Sequence, residues 1–303
     1  GSARSTGKPG VYTVVPGPGV LNSTAALCSA YATNAPVFCL TGQIPTEGLG
    51  KGIGYLHELP DQLATMRTLT KWADRAMTPE EAPGLVNEAF VQLKGGRPRP
   101  ISLEMPMDTM GNKANVALLP ASNIPAGPKV DASAIEKAAK LLAGAKRPMI
   151  IAGGGAIAAG KSLEQLATFL QAPVVTFRSG RGVVSDRSYL SQMFPSGNDM
   201  WKDADVIIGL GTRMEQQYLY WGIGPDMKIL RIDIDADEFE RIDTPEVAIH
   251  ADSKDAVPAL LGALERISKP KPSREKELTE QKAKLRREIE ERVQPQVGFL
   301  DAI

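Results

Sequence analysis

Short apolar runs alternate with helix-patterned stretches along most of this chain, and no other feature of the sequence limits its fold as strongly. Val11–Val15, Val37–Thr41 and Ile101–Glu104 read as strands, and the stretches near Ser23–Thr33, Leu59–Thr68 and Pro79–Leu93 carry helical patterning. A second block is more regular. It offers a helix over Ser133–Ala145, strands at Pro148–Ala152, Pro173–Thr176, Val206–Leu210, Lys228–Ile234 and Val247–Ile249, and a helix over Asp252–Ile267. Alternation of this kind predicts parallel sheets flanked by helices. The expected fold class is α/β, with a parallel-sheet domain first and a complete doubly wound, Rossmann-like domain second.

Between the blocks, LLPASNIPAGPKVDAS carries three prolines and few periodic apolar positions, the marks of a linker. The expected organisation is a first domain over 1–112, a linker over 113–130, a second domain over 131–268 and a charged segment over 269–303. That last segment holds REKELTEQKAKLRREIEER. It reads as a solvated helix laced with opposite charges four residues apart, followed by an apolar start in the final GFLDAI.

Composition removes several classes of function. The 303 residues include 35 basic and 35 acidic side chains, for a formal charge of zero, which argues against nucleic acid or an anionic membrane as the main partner. No apolar run approaches the roughly 20 residues needed to span a bilayer, and GSARSTGKPG has no apolar signal-peptide region. The two cysteines, Cys28 and Cys39, lie in apolar surroundings without CxxC spacing, so buried free thiols and a reducing, cytoplasmic setting are expected. With only two histidines, His57 and His250, far apart in sequence, a protein-held zinc ion is not expected. The G-x-S-x-G elbow of a serine hydrolase is missing as well.

Ligands of open parallel sheets bind at the carboxyl ends of the strands. In the second block, Gly153, Gly154 and Gly155 follow a strand, and their backbone N–H groups are placed to approach a phosphate. Gly211-Thr212-Arg213 ends another strand, with Arg213 able to pair with phosphate. Asp233 and Asp235 end RIDID, where a carboxylate accepts from ribose hydroxyls. Tight strand-to-helix turns without any ligand need the same glycines, and spacing alone does not separate the two. The first block offers Pro16–Gly19 with Asn22, then Gly42-Gln43 after a strand, then His57-Glu58. A histidine without partners is more often structural than reactive.

Taken in order, ARSTGKPGVYTVVPGPGVLN, APVFCLTGQIP, HELPDQLATMRTLTKWADRA, RPRPISLEMPMD, KRPMIIAGGGA, ADVIIGLGTRM and ILRIDIDADEFER resemble the thiamine-diphosphate-dependent enzymes of the acetolactate synthase and benzaldehyde lyase type, over nearly the whole chain. The resemblance implies the latter part of a pyrimidine-binding domain, all of a central domain and the linker helix into a third. The family's catalytic glutamate would lie upstream of Gly1, and its Gly-Asp-Gly…Asn motif for magnesium and diphosphate beyond Ile303, so this stretch is expected to be inactive by itself. The first sheet is expected to leave an exposed edge. For the intact protein the resemblance implies thiamine diphosphate and Mg as cofactors, 2-keto acids or aldehydes as substrates, and a homodimer or homotetramer. Pro18, Gly19 and Asn22 match the loop lining the site near the aminopyrimidine, and Gln43 a residue near the same pocket. His57 matches a position facing the reacting centre that carries glutamine in many relatives. Arg97 matches an arginine that contacts FAD, and Gly153–Gly155, Gly211, Arg213, Asp233 and Asp235 match nucleotide-facing loops. FAD, ADP and an empty central domain all remain open, because MEQQYLYWG replaces the acidic, arginine-containing segment of FAD-binding relatives. The alternatives to an enzyme fragment are an FAD- or ADP-binding regulatory module and a purely structural piece.

Overall fold

All strand pairs formed by the described residues are parallel, as the alternating pattern requires. The structure, a computed structural model, describes residues 1–176 and 178–293. The final GFLDAI, read above as an apolar start, lies outside the described residues. The chain divides into two units, Gly1–Ala126 and Gly127–Ile303.

The first unit runs α1 (Ser2–Thr6), β1 (Gly10–Val14), α2 (Pro18–Ala32), β2 (Val37–Gln43), α3 (Gln62–Leu69), β3 (Trp72–Arg75), α4 (Ala82–Lys94), β4 (Ile101–Pro106) and α5 (Met107–Gly111). Its four strands lie in the order β1-β2-β4-β3. Val20 and Leu27 of α2 and Met66 of α3 bury against Cys39 and Ala73. Ala89 and Leu93 of α4 bury against Phe38, Ile101 and Leu103. Successive strand residues point to opposite faces, so Phe38 and Cys39 serve the two helical layers. β1 is an edge strand, and Val11 within it and Val15 just after it stay 59% and 55% exposed.

Three details depart from the sequence pattern. Helix α2 begins at Pro18 rather than near Ser23. Gly17 sits at φ +60°, which glycine adopts without steric cost, and Pro18 is preset for the first helical turn. Ser23 and Thr24 therefore do not cap; their hydroxyls donate back to the carbonyls of Val20 and Leu21. Strand β3, WADR, is too short and too charged to show an apolar period. Cys28 is exposed while Cys39 is buried. Only Cys39 is the expected buried thiol, and burial pushes its pKa up.

The second unit comprises α6 (Ala132–Gly144), β5 (Pro148–Ala152), α7 (Gly160–Leu170), β6 (Val174–Thr176), β7 (Ser191–Gln192), α8 (Phe194–Trp201), β8 (Val206–Leu210), β9 (Lys228–Asp233), β10 (Val247–His250), α9 (Ser253–Ile267) and α10 (Glu275–Val293). The strand order β10-β9-β8-β5-β6-β7 is doubly wound, and the winding reverses between β5 and β8. Strands β5 and β8 are buried at every position, as central parallel strands must be.

Helix α10 is not the solvated helix its charge density predicts. Leu278 and Leu285 are buried, and the Leu278 carbonyl accepts from Gln192 Nε2 at 3.0 Å. Lys282 Nζ donates to the carbonyls of Asp186 and Ser188, and Lys284 pairs with Asp199 of α8 at 3.2 Å. The expected pairs four residues apart, Lys284–Glu288 and Arg286–Glu290, are present as well. Two well-placed leucines are enough to dock a helix whose remaining surface is charged.

The docked end carries a pH signature. Hydrogen bonds from Arg274, with Arg147 adding to them, pull the Glu277 carboxyl from its ordinary 4.5 down to about 2. A lowered carboxylate pKa adds stability above the unfolded value, and that stability is lost as pH falls through the folded one. Glu277→Gln should therefore unfold at lower urea than the parent at pH 7. The difference should shrink as pH falls from about 4.5 towards about 2, as circular dichroism titrations at several pH values will check.

Candidate functional site

The carboxyl edge of the first sheet gathers the turn after β1, the end of β2 and the start of α3. Asp61 caps α3 by accepting from Ala64 N at 2.9 Å, which fixes Gln62 as the first helical residue. The Gln62 side chain is only 1% exposed, and its amide is fully used. Oε1 accepts from Gly17 N at 2.9 Å, while Nε2 donates to the Gly42 carbonyl at 3.1 Å and to Glu104 Oε2 at 2.7 Å. Glu104, on β4, is 1% exposed and pairs with Arg75 of β3. One buried network thus ties the loop after β1 to strands β2, β4 and β3.

Gly17 is held from the other side by His57. A Cβ on Gly17 would lie 2.5 Å from the His57 carbonyl oxygen, so only glycine permits this approach. His57 itself has φ +71°, an uncommon conformation for a residue with a side chain. The residue as a whole is half-buried. Pro18 and Asn22, four residues apart on α2, are both exposed and so share one helix face. Gly19 packs against Val14 and Val15 at the end of β1, where a Cβ would meet Val15 Cγ2 at 2.8 Å. Gln43 is buried, and its Oε1 accepts from Ile44 N at 2.7 Å, so that oxygen is turned into its own loop. The structure brings Pro18 and His57 to the same edge around Gly17, with Asn22 one turn along the helix. Nearby, Thr46 donates through N–H and hydroxyl to Asp108, and these bonds hold the Asp108 carboxyl below its ordinary pKa. Glu58 accepts from Gly54 N and Tyr55 N and closes its own loop.

Gln62, Glu104 and Arg75 are the residues that sequence reasoning missed. The available signal was Glu104 itself, a carboxylate inside the otherwise uncharged ISLEMP. A charge in a buried strand needs a partner. Glu104→Ala would leave Arg75 and the Gln62 amide without it, and should cost about 3 kcal/mol of unfolding free energy in chemical denaturation.

In the second unit, the loops after β5 and β8 meet where the winding reverses. Gly153 N donates to the Leu210 carbonyl and Gly155 N to the Gly211 carbonyl, at 3.0 and 3.1 Å. A Cβ on Gly153 would lie 2.3 Å from Gly211 O, and one on Gly211 would lie 2.5 Å from Gly155 Cα. These glycines let two loops close on each other, and the amides of Gly153 and Gly155 are engaged in that closure. Gly154 opens a 3-10 turn that runs to Ala159 before α7 begins, so no α-helix N-terminus directly follows the loop. Arg213 reaches the fully buried Glu238 at 4.0 Å, and Arg241 reaches it at 3.0 Å. The Asp233 carboxylate accepts from Asp235 N, and that of Asp235 from Asp237 N, so each carboxylate takes part in a local turn. Arg97 lies in the first unit before β4, where Nε donates to Asn34 Oδ1 at 3.0 Å. Both residues precede their strands, so Arg97 stands at the amino edge of that sheet, opposite Pro18 and His57. His250 is exposed, with Nε2 3.1 Å from the Ile234 carbonyl. Among the described residues, no group of three His, Cys, Asp or Glu is placed to hold a metal ion, and no helix is long and apolar enough to cross a membrane.

Comparison with known proteins agrees with this architecture. The family model for the N-terminal TPP-binding domain of thiamine pyrophosphate enzymes matches residues 1–65, and that for their central domain matches residues 135–260. The chain is 35% identical over 272 residues to a probable 2-ketoarginine decarboxylase of Pseudomonas aeruginosa, covering 86% of this chain and 48% of that protein. It is 33% identical over 287 residues to a probable acetolactate synthase large subunit of Methanocaldococcus jannaschii, covering 87% and 47%. With the large subunit of acetolactate synthase isozyme 1 of Escherichia coli the identity is 30% over 278 residues, covering 88% and 48%. The chain thus spans about half the length of the curated relatives it matches. Two adjoining domain types of one enzyme family, matched in order along two parallel-sheet units, establish that the chain belongs to the thiamine-diphosphate-dependent enzymes.

Proposed function

We propose that this chain carries the pyrimidine-facing wall and the central domain of a decarboxylase or carboligase acting on 2-keto acids or aldehydes. The observation that carries this reading is the clamp on Gly17, which brings Pro18 and His57 together, with Asn22 close by, at the carboxyl edge of a sheet whose strands β1 and β2 lie in the stretch matched by the thiamine-binding family model. The side chains fit the group chemically. Pro18 offers flat apolar surface to a ring, and Asn22 and His57 offer polar edges. Bound thiamine diphosphate supplies a nucleophilic carbon and an electron sink for the carbonyl substrate. On this proposal Pro18 and Asn22 orient the ring, and His57 holds or moves a proton beside the reacting carbonyl. A relative named for decarboxylating a 2-keto acid supports that substrate class.

The proposal includes magnesium as the companion ion, a homodimer or homotetramer as the working form and the cytoplasm as its location. The test is turnover of 2-keto acids and aromatic aldehydes by the intact polypeptide with thiamine diphosphate and magnesium. Inactivity of a folded, cofactor-loaded preparation would count against it. Asparagine tolerates positive φ, so His57→Asn removes proton transfer without straining the backbone. It should lower kcat/KM by about 100-fold, with circular dichroism unchanged.

A second reading makes the central unit an FAD or ADP site. Its support is positional, because the loops carrying Gly153–Gly155 and Gly211–Arg213 meet at the switch point of the sheet. Against it stand the engaged amides of Gly153 and Gly155 and the engaged carboxylates of Asp233 and Asp235. Denatured protein should release no stoichiometric flavin or adenine nucleotide by absorbance and mass spectrometry; stoichiometric release would favour this second reading.

A further inference from the structure

The chemistry proposed for the first unit leaves Gln62 without a role, yet this buried side chain makes three directed hydrogen bonds. Its carboxamide spans three pieces of backbone and side chain that are remote in sequence. Oε1 meets the Gly17 amide, and Nε2 meets both the Gly42 carbonyl and the Glu104 carboxylate. The orientation of the amide is set by chemistry, because an N–H donor faces one end and two acceptors face the other. Glu104 is in turn held by Arg75, so the amide has an oriented anchor. Gly17 then transmits the position, since its Cα lies too close to the His57 backbone for any side chain to intervene.

We propose that Gln62 is the positioning residue of this site. It sets the height of the Pro16–Pro18 turn against the end of β2 and, through Gly17, the placement of His57. The inference rests on the functional reading above for the identity of the ligand, but its geometry stands apart from that reading. Neither Leu nor Glu reproduces an amide with a donor on one side and an acceptor on the other. A carboxyl at position 62 would oppose the Glu104 carboxylate, so its pKa would rise, and only its protonated form can donate to Glu104 or Gly42 while accepting from Gly17. The charged and titratable groups around it are Glu104 and Arg75 from the sheet, Asp61 beside it and His57 across Gly17.

The experiment compares Gln62→Met and Gln62→Glu with the parent in the intact polypeptide. It follows hydrogen exchange of the Gly17 amide and the 55–58 segment, and binding of thiamine diphosphate by calorimetry. In Gln62→Met, near-isosteric but without the amide, Gly17 should lose protection and thiamine diphosphate should bind about tenfold more weakly, with kcat affected along with KM. In Gln62→Glu both defects should diminish as pH falls from 8 to 6, a dependence absent from the methionine variant. Parent-like protection of Gly17 and parent-like affinity in both variants would overturn the proposal. If the methionine variant fails to fold, the pH dependence of the glutamate variant decides alone, and a flat profile overturns it. If the parent binds no thiamine diphosphate, the functional reading fails instead, and exchange at Gly17 and 55–58 still decides whether Gln62 positions the turn.

Discussion

The first unit depends on a buried carboxylate that had to be neutralised where it sits. Glu104 lies in the middle of β4, opposite Thr41 on one side and Arg75 on the other. An unpaired charge there would cost several kcal/mol. Arg75 meets one oxygen and the Gln62 amide the other. That second contact has structural consequences beyond charge, because the same amide reaches the loop after β1 and the end of β2. Sheet register, the start of α3 and the turn that opens α2 are therefore held by one set of hydrogen bonds.

The second unit is organised differently. Its core is a continuous apolar layer from both sheet faces, including Ile150, Ile207, Ile208, Leu230 and Ile232. Within β9 the buried Arg231 donates to the carbonyls of Thr212 and Glu238, and further polar order lies at the strand ends. There the absence of side chains does what a side-chain amide does in the first unit. Gly153, Gly155 and Gly211 let the loops after β5 and β8 bond backbone to backbone. Glycines after a strand are usually considered for a ligand's phosphate, but close approach of two main chains makes the same demand. Helix α10 completes this unit by burying Leu278 and Leu285, by the bond from Gln192 of β7 to the Leu278 carbonyl and by the pair of Lys284 with Asp199 of α8.

The sequence made β5, β6, β8, β9 and β10 legible because each is a short, mainly apolar run, such as VIIGL, but it hid β7, whose two polar residues, Ser191 and Gln192, carry no apolar period. It made α2 harder to place, because Asn22, Ser23 and Thr24 look like a cap while Gly17 and Pro18 act as the actual start. It hid β3, whose pairing along β4 alone makes WADR a strand. It also misjudged α10, where a count of charges outweighed Leu278 and Leu285. Among the candidate residues, Pro18, Asn22 and His57 were visible through resemblance, and Gln62 was not, since one glutamine in a polar helix start carries no pattern.

By itself the sequence determined the fold class, the two-block order of strands and helices, and the family, because hydrophobic periodicity and the order of motifs are local or linear properties. Tertiary structure decided which polar side chains meet. Gln62 and Glu104 are 42 residues apart, and Gly17 and Gln62 are 45 apart. Their bonds exist only because parallel pairing brings the carboxyl ends of β1, β2 and β4 to one edge. The same pairing assigned the glycines of the second unit to each other, since spacing along a chain specifies that two backbones can approach but not what they approach.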